Sequence, residues 1–230
     1  RIYPLHVFTI LLLIVFVLIV PSFYPKAIDG SWETYFAWSA LWDNLLLIHS
    51  MKQHTYLSWN IVSWSIGAEW WSYLAACLLI PLIFKSKNYI TIVLSVLSFF
   101  TLYVLQTHFQ KLDITFDYGW LRCLSEFTLG VITYKIFITS KTKNWLSSDI
   151  AFGLCFIMII LLFQFNLNDL FVIPLFIILL LSTIYNDGFV KQILASKPLH
   201  YLGEISYSIY MIHGIWFMVY WFAFPYLKTE

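Results

Sequence analysis

The sequence predicts an all-α protein, a polytopic bundle of transmembrane helices. Hydrophobic residues make up 61% of the 230 residues and charged residues only 11%, whereas a soluble domain carries about a quarter charged residues. A core cannot absorb so many apolar side chains in a chain of this length, so much of the surface must also be apolar. Lipid is the natural solvent for such a surface. The net charge of +1 gives no indication of nucleic acid binding.

Seven segments are long and apolar enough to cross a bilayer, which takes about 20 residues with tolerance for tilt. The predicted segments are 4–20, 61–84, 89–106, 119–138, 150–165, 170–185 and 205–224. The fifth and sixth are short and joined only by residues 166–169, which predicts a tight helical hairpin. Residues 32–51 are aromatic and semi-polar, and they predict an additional helix that is either interfacial or re-entrant.

The distribution of Lys and Arg predicts the orientation. If Arg1 is cytoplasmic, the inner loops hold eight of these residues and the outer loops four. The inner ones are Arg1, Lys85, Lys87, Lys135, Lys141, Lys143, Lys191 and Lys197, and the outer ones are Lys26, Lys52, Lys111 and Lys228. This bias favours a cytoplasmic Arg1.

We expect residues 1–230 to form a single domain, because no internal repeat or low-complexity linker interrupts the chain. The chain starts at Arg1 and enters an apolar run that lacks the small-residue cleavage pattern of a signal peptide. We therefore expect it to be part of a longer protein.

Glu69 is the most informative polar residue, because a carboxylate in a spanning helix is costly in lipid and should face protein or a wet cavity. Ser65 lies four residues earlier and on the same helical face. Asn60 and Ser63 precede them. Together these groups can orient an acceptor hydroxyl or take its proton. The alternative is a structural hydrogen-bond network between helices.

Four tryptophans surround this group: Trp59, Trp64, Trp70 and Trp71. Tryptophan is enriched at membrane interfaces, so each one is compatible with an interfacial belt. The cluster is denser than a belt requires. Because flat aromatic faces also stack on sugar rings, the functional alternative is a saccharide site.

Three further residues carry chemistry that lipid does not favour. Arg122 lies four residues before Glu126, so the two can form an ion pair, or Arg122 can hold an anionic group or partner Glu69. His213 shares a helical stripe with Ser206 and Tyr210. It is either a structural histidine or a proton acceptor suited to acyl transfer.

Arg1 stands ahead of the first spanning segment. It is either an interfacial anchor or a contact for the phosphates of a cytosolic donor. His49 and His54 lie in a loop without a third ligand, so we predict no metal site. P-loop, dinucleotide-binding and nucleophile-elbow motifs are absent from the sequence.

Four stretches together resemble the membrane-bound acyltransferase 3 family of bacteria. RIYPL at residues 1–5 resembles the end of that family's Arg-x-x-Arg loop. SWNIVSWSIGAEWWSY at residues 58–73 is similar to its Ser-Trp-Ser and Glu-aromatic signature, and LGEISYSIYMIH at residues 202–213 is similar to its final His motif. RCLSEFTLG at residues 122–130 fits a further helix of the family.

The resemblance implies transfer of an acyl group, usually acetyl, from cytosolic acyl-CoA to a carbohydrate hydroxyl at the bacterial inner membrane. It implies acyl-CoA, a carbohydrate and the bilayer as partners, and no bound cofactor. Arg1 would meet the donor, and Glu69 and His213 would line the acyl path as catalytic residues. Asn60, Ser63, Trp64, Ser65, Arg122 and Tyr210 would contact substrate. The family's leading Arg and His would precede Arg1, so we expect these 230 residues alone to be inactive.

Two alternatives remain open. A transporter or flippase of a lipid-linked sugar or small solute would use Glu69, Arg122 and His213 as a proton or substrate path, although the sequence lacks an inverted repeat. A non-catalytic scaffold or sensor would use the aromatic outer loop for binding.

Overall fold

The computed structural model describes residues 2–23, 30–139 and 145–227, and this part of the chain is helical, without a strand. The helices are α1 (Ile2–Phe23), α2 (Gly30–Tyr35), α3 (Leu41–Leu45), α4 (Trp64–Lys85), α5 (Asn88–Phe109), α6 (Gly119–Thr139), α7 (Asp149–Gln164), α8 (Val172–Tyr185), α9 (Phe189–Leu194) and α10 (Lys197–Leu227). Short 3₁₀ turns occupy Trp38–Ala40, Ile61–Ser63 and Asp169–Phe171. The predicted all-α class is confirmed.

Each of the seven predicted segments is helical, but the last helix begins earlier than expected. α10 starts at Lys197 and not at residue 205. The prediction followed apolarity, which marks where lipid begins, whereas a helix needs only its own backbone hydrogen bonds. Pro198 suits the first turn, because the amide hydrogen that proline lacks would have no intrahelical partner there.

Three stretches have both the length and the apolarity to cross a membrane: Ile2–Phe23, Ile61–Lys85 and Asn88–Phe109. Most of their side chains are not buried by the protein, as expected for helices that face lipid. α7 and α8 are apolar but shorter, at 16 and 14 residues. The orientation with Arg1 in the cytoplasm stays a prediction.

Residues 32–51 do not form one helix. They contain the end of α2, a 3₁₀ turn and the five-residue α3, all too short to span a bilayer. The predicted hairpin of α7 and α8 is confirmed: Asn166 turns the chain with a positive φ of 48°, and the Asn168 side chain accepts a hydrogen bond from the amide of Leu170.

The contacts divide the chain into two compact units. Unit 1 contains Arg1–Trp71, Thr115–Trp120 and Gly203–Glu230, and unit 2 contains Ser72–Ile114 and Leu121–Leu202. The single functional domain expected from the sequence stays a prediction. The two units are described separately below.

An aromatic cluster forms the core of unit 1. Trp32 packs edge-on against Phe222, with ring centroids 5.2 Å apart, and Phe36 packs against both. Trp59 is fully buried in this cluster, and its indole N–H donates to the carbonyl of Ala37. A sugar ring cannot stack on a fully buried side chain, so the saccharide-platform interpretation is wrong for Trp59.

Polar side chains tie the helices of unit 2 together. The Lys135 ammonium group donates to the carbonyl of Ile83 and to the hydroxyl of Thr91. The Asp149 carboxylate accepts hydrogen bonds from the backbone amides of Phe189 and Val190. These bonds join elements distant in sequence and satisfy groups that lipid would leave unpaired.

Candidate active site

A cavity of about 570 Å³ lies in unit 1, where the first turns of α4 face α10. Ser65 and Glu69 line it from α4, and Tyr207 and Tyr210 line it from α10. The prediction that Ser65 and Glu69 share one helical face is confirmed. The volume falls within the range of small-molecule sites.

Hydroxyl groups join the two walls of this cavity. The Tyr210 hydroxyl donates to the carbonyl of Val62 at 2.8 Å and lies 2.8 Å from the Ser65 hydroxyl. Ser65 is also 3.2 Å from the same carbonyl. The two side chains are therefore held in place before any ligand binds, which lowers the entropy cost of ordering them around a substrate.

The beginning of α1 forms another part of the cavity wall. Ile2 lines the cavity, and its carbonyl accepts a 2.7 Å hydrogen bond from the Tyr207 hydroxyl. Arg1, the predicted donor-binding residue, lies outside the described residues. Ile2, the next residue in the sequence, is anchored at the cavity by this hydrogen bond.

Glu69 is half-buried, and a second carboxylate, that of Glu204, lines the same cavity. Neither Glu204 nor Tyr207 was among the residues predicted for the site. Tyr207 lies three residues before Tyr210, so helical spacing alone could have identified it. Carboxylates beside ordered hydroxyls can accept a proton from a substrate hydroxyl.

His213 lies next to this group without joining the cavity wall. Its ring centroid is 5.1 Å from that of Tyr210, and the side chain is exposed. The predicted stripe thus continues from Ser206 through Tyr210 to His213, but within the described residues only the first two line the cavity. The catalytic assignment of His213 stays a prediction.

Asn60 and Ser63 belong to a buried polar network. The Asn60 amide donates to the hydroxyl of Thr9 and to the carbonyl of Met211, at 3.2 and 3.1 Å. Ser63 lies 3.1 Å from Nε2 of His49. Both side chains are fully buried, which favours a role in joining α1 and α10 to the start of α4 over direct contact with substrate.

Two histidines lie at the centre of this network, and their contact with each other was not predicted from the sequence. His6 and His49 stack with centroids 6.2 Å apart and rings inclined by 3°. His6 is fully buried and bonds the carbonyl of Asn44. A histidine inside the apolar α1 was a usable signal, because lipid disfavours it, but its partner could not be identified from sequence.

Burial and the neighbouring His6 lower the pKa of His49 to about 4. Above pH of about 6.5 the ring is neutral in both the folded and the unfolded chain, so it contributes nothing to the pH dependence. Below that pH the unfolded chain binds a proton that the folded ring takes up only near pH 4. We therefore expect the free energy of unfolding to decrease as the pH falls from about 6.5 to about 4, by up to about 3 kcal/mol in all.

The measurement is the midpoint of thermal unfolding in detergent between pH 7 and pH 4.5. His49→Gln should flatten the pH dependence, whatever it does to the midpoint at pH 7. His108→Gln is the control, because His108 is exposed on α5. Equal pH slopes for the wild type and His49→Gln would contradict the assignment.

Arg122 lies in unit 2, where its partners are local. Its Nε donates to Glu126 at 3.0 Å, and its guanidinium donates to the carbonyl of Leu112 at 2.6 Å. The predicted pairing with Glu126 is confirmed.

Trp64, also predicted to contact substrate, is half-buried as the first residue of α4.

Comparison with known proteins provides one finding. A family model described as an acyltransferase domain matches residues 1–229. No curated protein and no solved structure matches the chain. Within the described residues, no three His, Cys, Asp or Glu side chains are placed to hold a metal ion.

Proposed function

The chain belongs to the acyltransferase 3 family, and on that premise we propose that it transfers an acyl group from acyl-CoA to a hydroxyl of a carbohydrate. Its apolar spanning helices make it a membrane acyltransferase. Acetyl as the acyl group, a cell-surface or exported glycan as the acceptor and the bacterial inner membrane as the location are parts of this proposal.

The observation that carries the proposal is the cavity of unit 1. Glu69, Ser65 and Tyr210 all line it, and the hydroxyls of Ser65 and Tyr210 lie 2.8 Å apart. Such a set can hold an acceptor hydroxyl by hydrogen bonds and remove its proton as the bond to carbon forms. Ile2 also lines the cavity, and the proposal keeps Arg1 as the contact for the donor's phosphates.

The proposed step transfers the acyl group directly. The acceptor oxygen attacks the carbonyl carbon of the thioester while Glu69 takes the hydroxyl proton. The carbon–sulfur bond then breaks, and the CoA thiolate leaves and receives the proton from Glu69. The products are the O-acylated carbohydrate and CoA with a free thiol, and no oxidant or reductant is consumed.

The remaining predicted residues have supporting roles in this proposal. His213, next to Tyr210, assists proton transfer when substrate is bound. Asn60 and Ser63 hold the start of α4 in position through their buried hydrogen bonds. Substrate contacts of Trp64 and Arg122 stay predictions.

The test uses the protein as it occurs in native membranes, together with any residues that precede Arg1, and supplies acyl-CoA carrying a radiolabelled acyl group. We expect label to appear in saccharide, in base-labile ester linkage, and to require the protein. Acceptor translocation without transfer of label would instead support the transporter alternative.

A further inference from the structure

Unit 2 contains a long apolar groove with a polar end. Its volume is about 530 Å³, and it runs between α6 and α8. Leu129, Ile173, Phe176, Ile177 and Leu180 line the apolar part. Arg122, Glu126, Asp113 and Asp169 stand at the polar end. The apolar part can hold a hydrocarbon chain, because its side chains offer van der Waals contacts as apolar as those of the bilayer core.

A second cavity of about 650 Å³ adjoins the polar end of this groove. The two cavities share Asp113, Phe163 and Asp169. Four of the ten residues that line the second one carry side-chain amides: Gln106 and Gln110 at the end of α5, and Asn166 and Asn168 in the turn before α8. Together the cavities form one amphiphilic site, a hydrocarbon groove that opens into a polar basin.

Gln106 is the clearest indication that the basin takes a ligand. The residue is only 7% exposed, and its amide nitrogen donates to the carbonyl of Gln110 at 3.0 Å. Among the described residues, its side-chain oxygen has no hydrogen-bond donor. A buried acceptor left unpaired costs about 1–3 kcal/mol. Because Gln106 lines the basin, a rotation of its amide toward a ligand hydroxyl would satisfy this oxygen.

The charges at the basin determine the kind of headgroup. Lys111 and Arg122 are opposed by Asp113, Glu126 and Asp169, and Arg122 already bonds Glu126 and the carbonyl of Leu112. The site has no surplus positive charge with which to bind a phosphate. Amides and carboxylates instead suit the many hydroxyl groups of an uncharged sugar.

We propose that unit 2 binds a glycolipid of the bilayer, with its hydrocarbon chain between α6 and α8 and its sugar in the basin. In the orientation predicted from the Lys and Arg residues, the basin opens on the outer side of the membrane. The binding site is inferred from the two cavities and does not depend on the proposed function. That the bound glycolipid is the carbohydrate acceptor rests on the proposed function.

Photolabelling of the purified protein tests the site. The probe is an alkyl maltoside with a diazirine in its chain, and the reference is a polyoxyethylene ether with the same chain. We expect the maltoside to label the groove walls of α6 and α8 about fivefold more strongly, as one or two hydrogen bonds would produce. Unlabelled alkyl maltoside should compete.

Gly130 offers a direct way to close the groove. It lines the groove, and no described atom lies within 4 Å of the position that a Cβ would take. Gly130→Leu should therefore fill the groove without a backbone clash and reduce labelling about tenfold. Gly153→Leu is the matched control, because Gly153 on α7 has equal space and lies outside the groove.

Gln106→Leu tests the headgroup. It should remove most of the preference for the maltoside over the ether, whereas Gln164→Leu, at an exposed position on α7, should keep it. If Gly130→Leu does not fold, Ile177→Trp fills the same groove from α8. Equal labelling by both probes, or unchanged labelling in the filled variants, would overturn the proposal.

The readout is binding, so it is separate from acyl transfer. Binding without transfer activity would leave the glycolipid site standing and remove only its assignment as the acceptor site. Transfer activity that persists when labelling is lost would show that the acceptor binds elsewhere.

Discussion

Glu69→Gln is expected to lower acyl transfer about 10²–10⁴-fold, because the variant keeps the shape of the side chain and loses the proposed proton acceptor. The loss should appear in kcat, with little change in KM for the acceptor, because Gln can still hold the acceptor hydroxyl by a hydrogen bond. The measurement is the initial rate of label transfer at saturating donor, corrected for the amount of folded protein.

Two companion variants separate this role from others in the same cavity. Tyr210→Phe should reduce the rate less, because it removes the hydroxyl that orients Ser65 and leaves the carboxylate. Glu204→Gln is the matched control, since it removes the other carboxylate of the cavity. A large loss with Glu204→Gln and none with Glu69→Gln would move the proton acceptor to Glu204.

Gly214→Ala is expected to destabilise the protein by about 1–3 kcal/mol, because α10 packs against the start of α4 with no room for a side chain. An added Cβ would collide with the side-chain oxygen of Asn60 and lie 2.7 Å from a methyl group of Val62. Asn60 cannot move away easily, because its amide nitrogen bonds both Thr9 and the carbonyl of Met211.

The measurement is the midpoint of thermal unfolding in detergent. Gly203→Ala is the matched control: it lies in the same helix, and no described atom stands within 4 Å of its added Cβ. That variant should be neutral or slightly stabilising, since alanine favours a helix over glycine. A midpoint for Gly214→Ala equal to that of Gly203→Ala would show that α10 can shift to accept the methyl group.

Local patterns were sufficient for much of the fold and for part of the candidate site. The long apolar helices were predictable because apolarity over about 20 residues is a property of contiguous sequence. Ser65 and Glu69 share a cavity wall because a spacing of four places residues on one helical face. The ion pair of Arg122 and Glu126 followed from the same spacing.

Other features were beyond these patterns. The stack of His6 on His49 joins residues 43 positions apart through a segment of short helices and turns. No periodicity relates such residues, so the contact depends on how that segment packs. The same holds for Trp59. The neighbouring tryptophans in the sequence suggested an interfacial position, and they did not show that Trp59 is enclosed in the core of unit 1.

The sequence by itself determined the membrane class, the helices and the chemical groups available, because composition and helical spacing depend only on neighbouring residues. The tertiary structure alone decided which polar groups meet. It brought Tyr210 to Ser65 across 145 positions and buried Asn60 under α10, whereas Gln106 stands at a cavity of unit 2. Such pairings depend on the packing of distant helices, where shape and the need to satisfy buried polar groups select one arrangement.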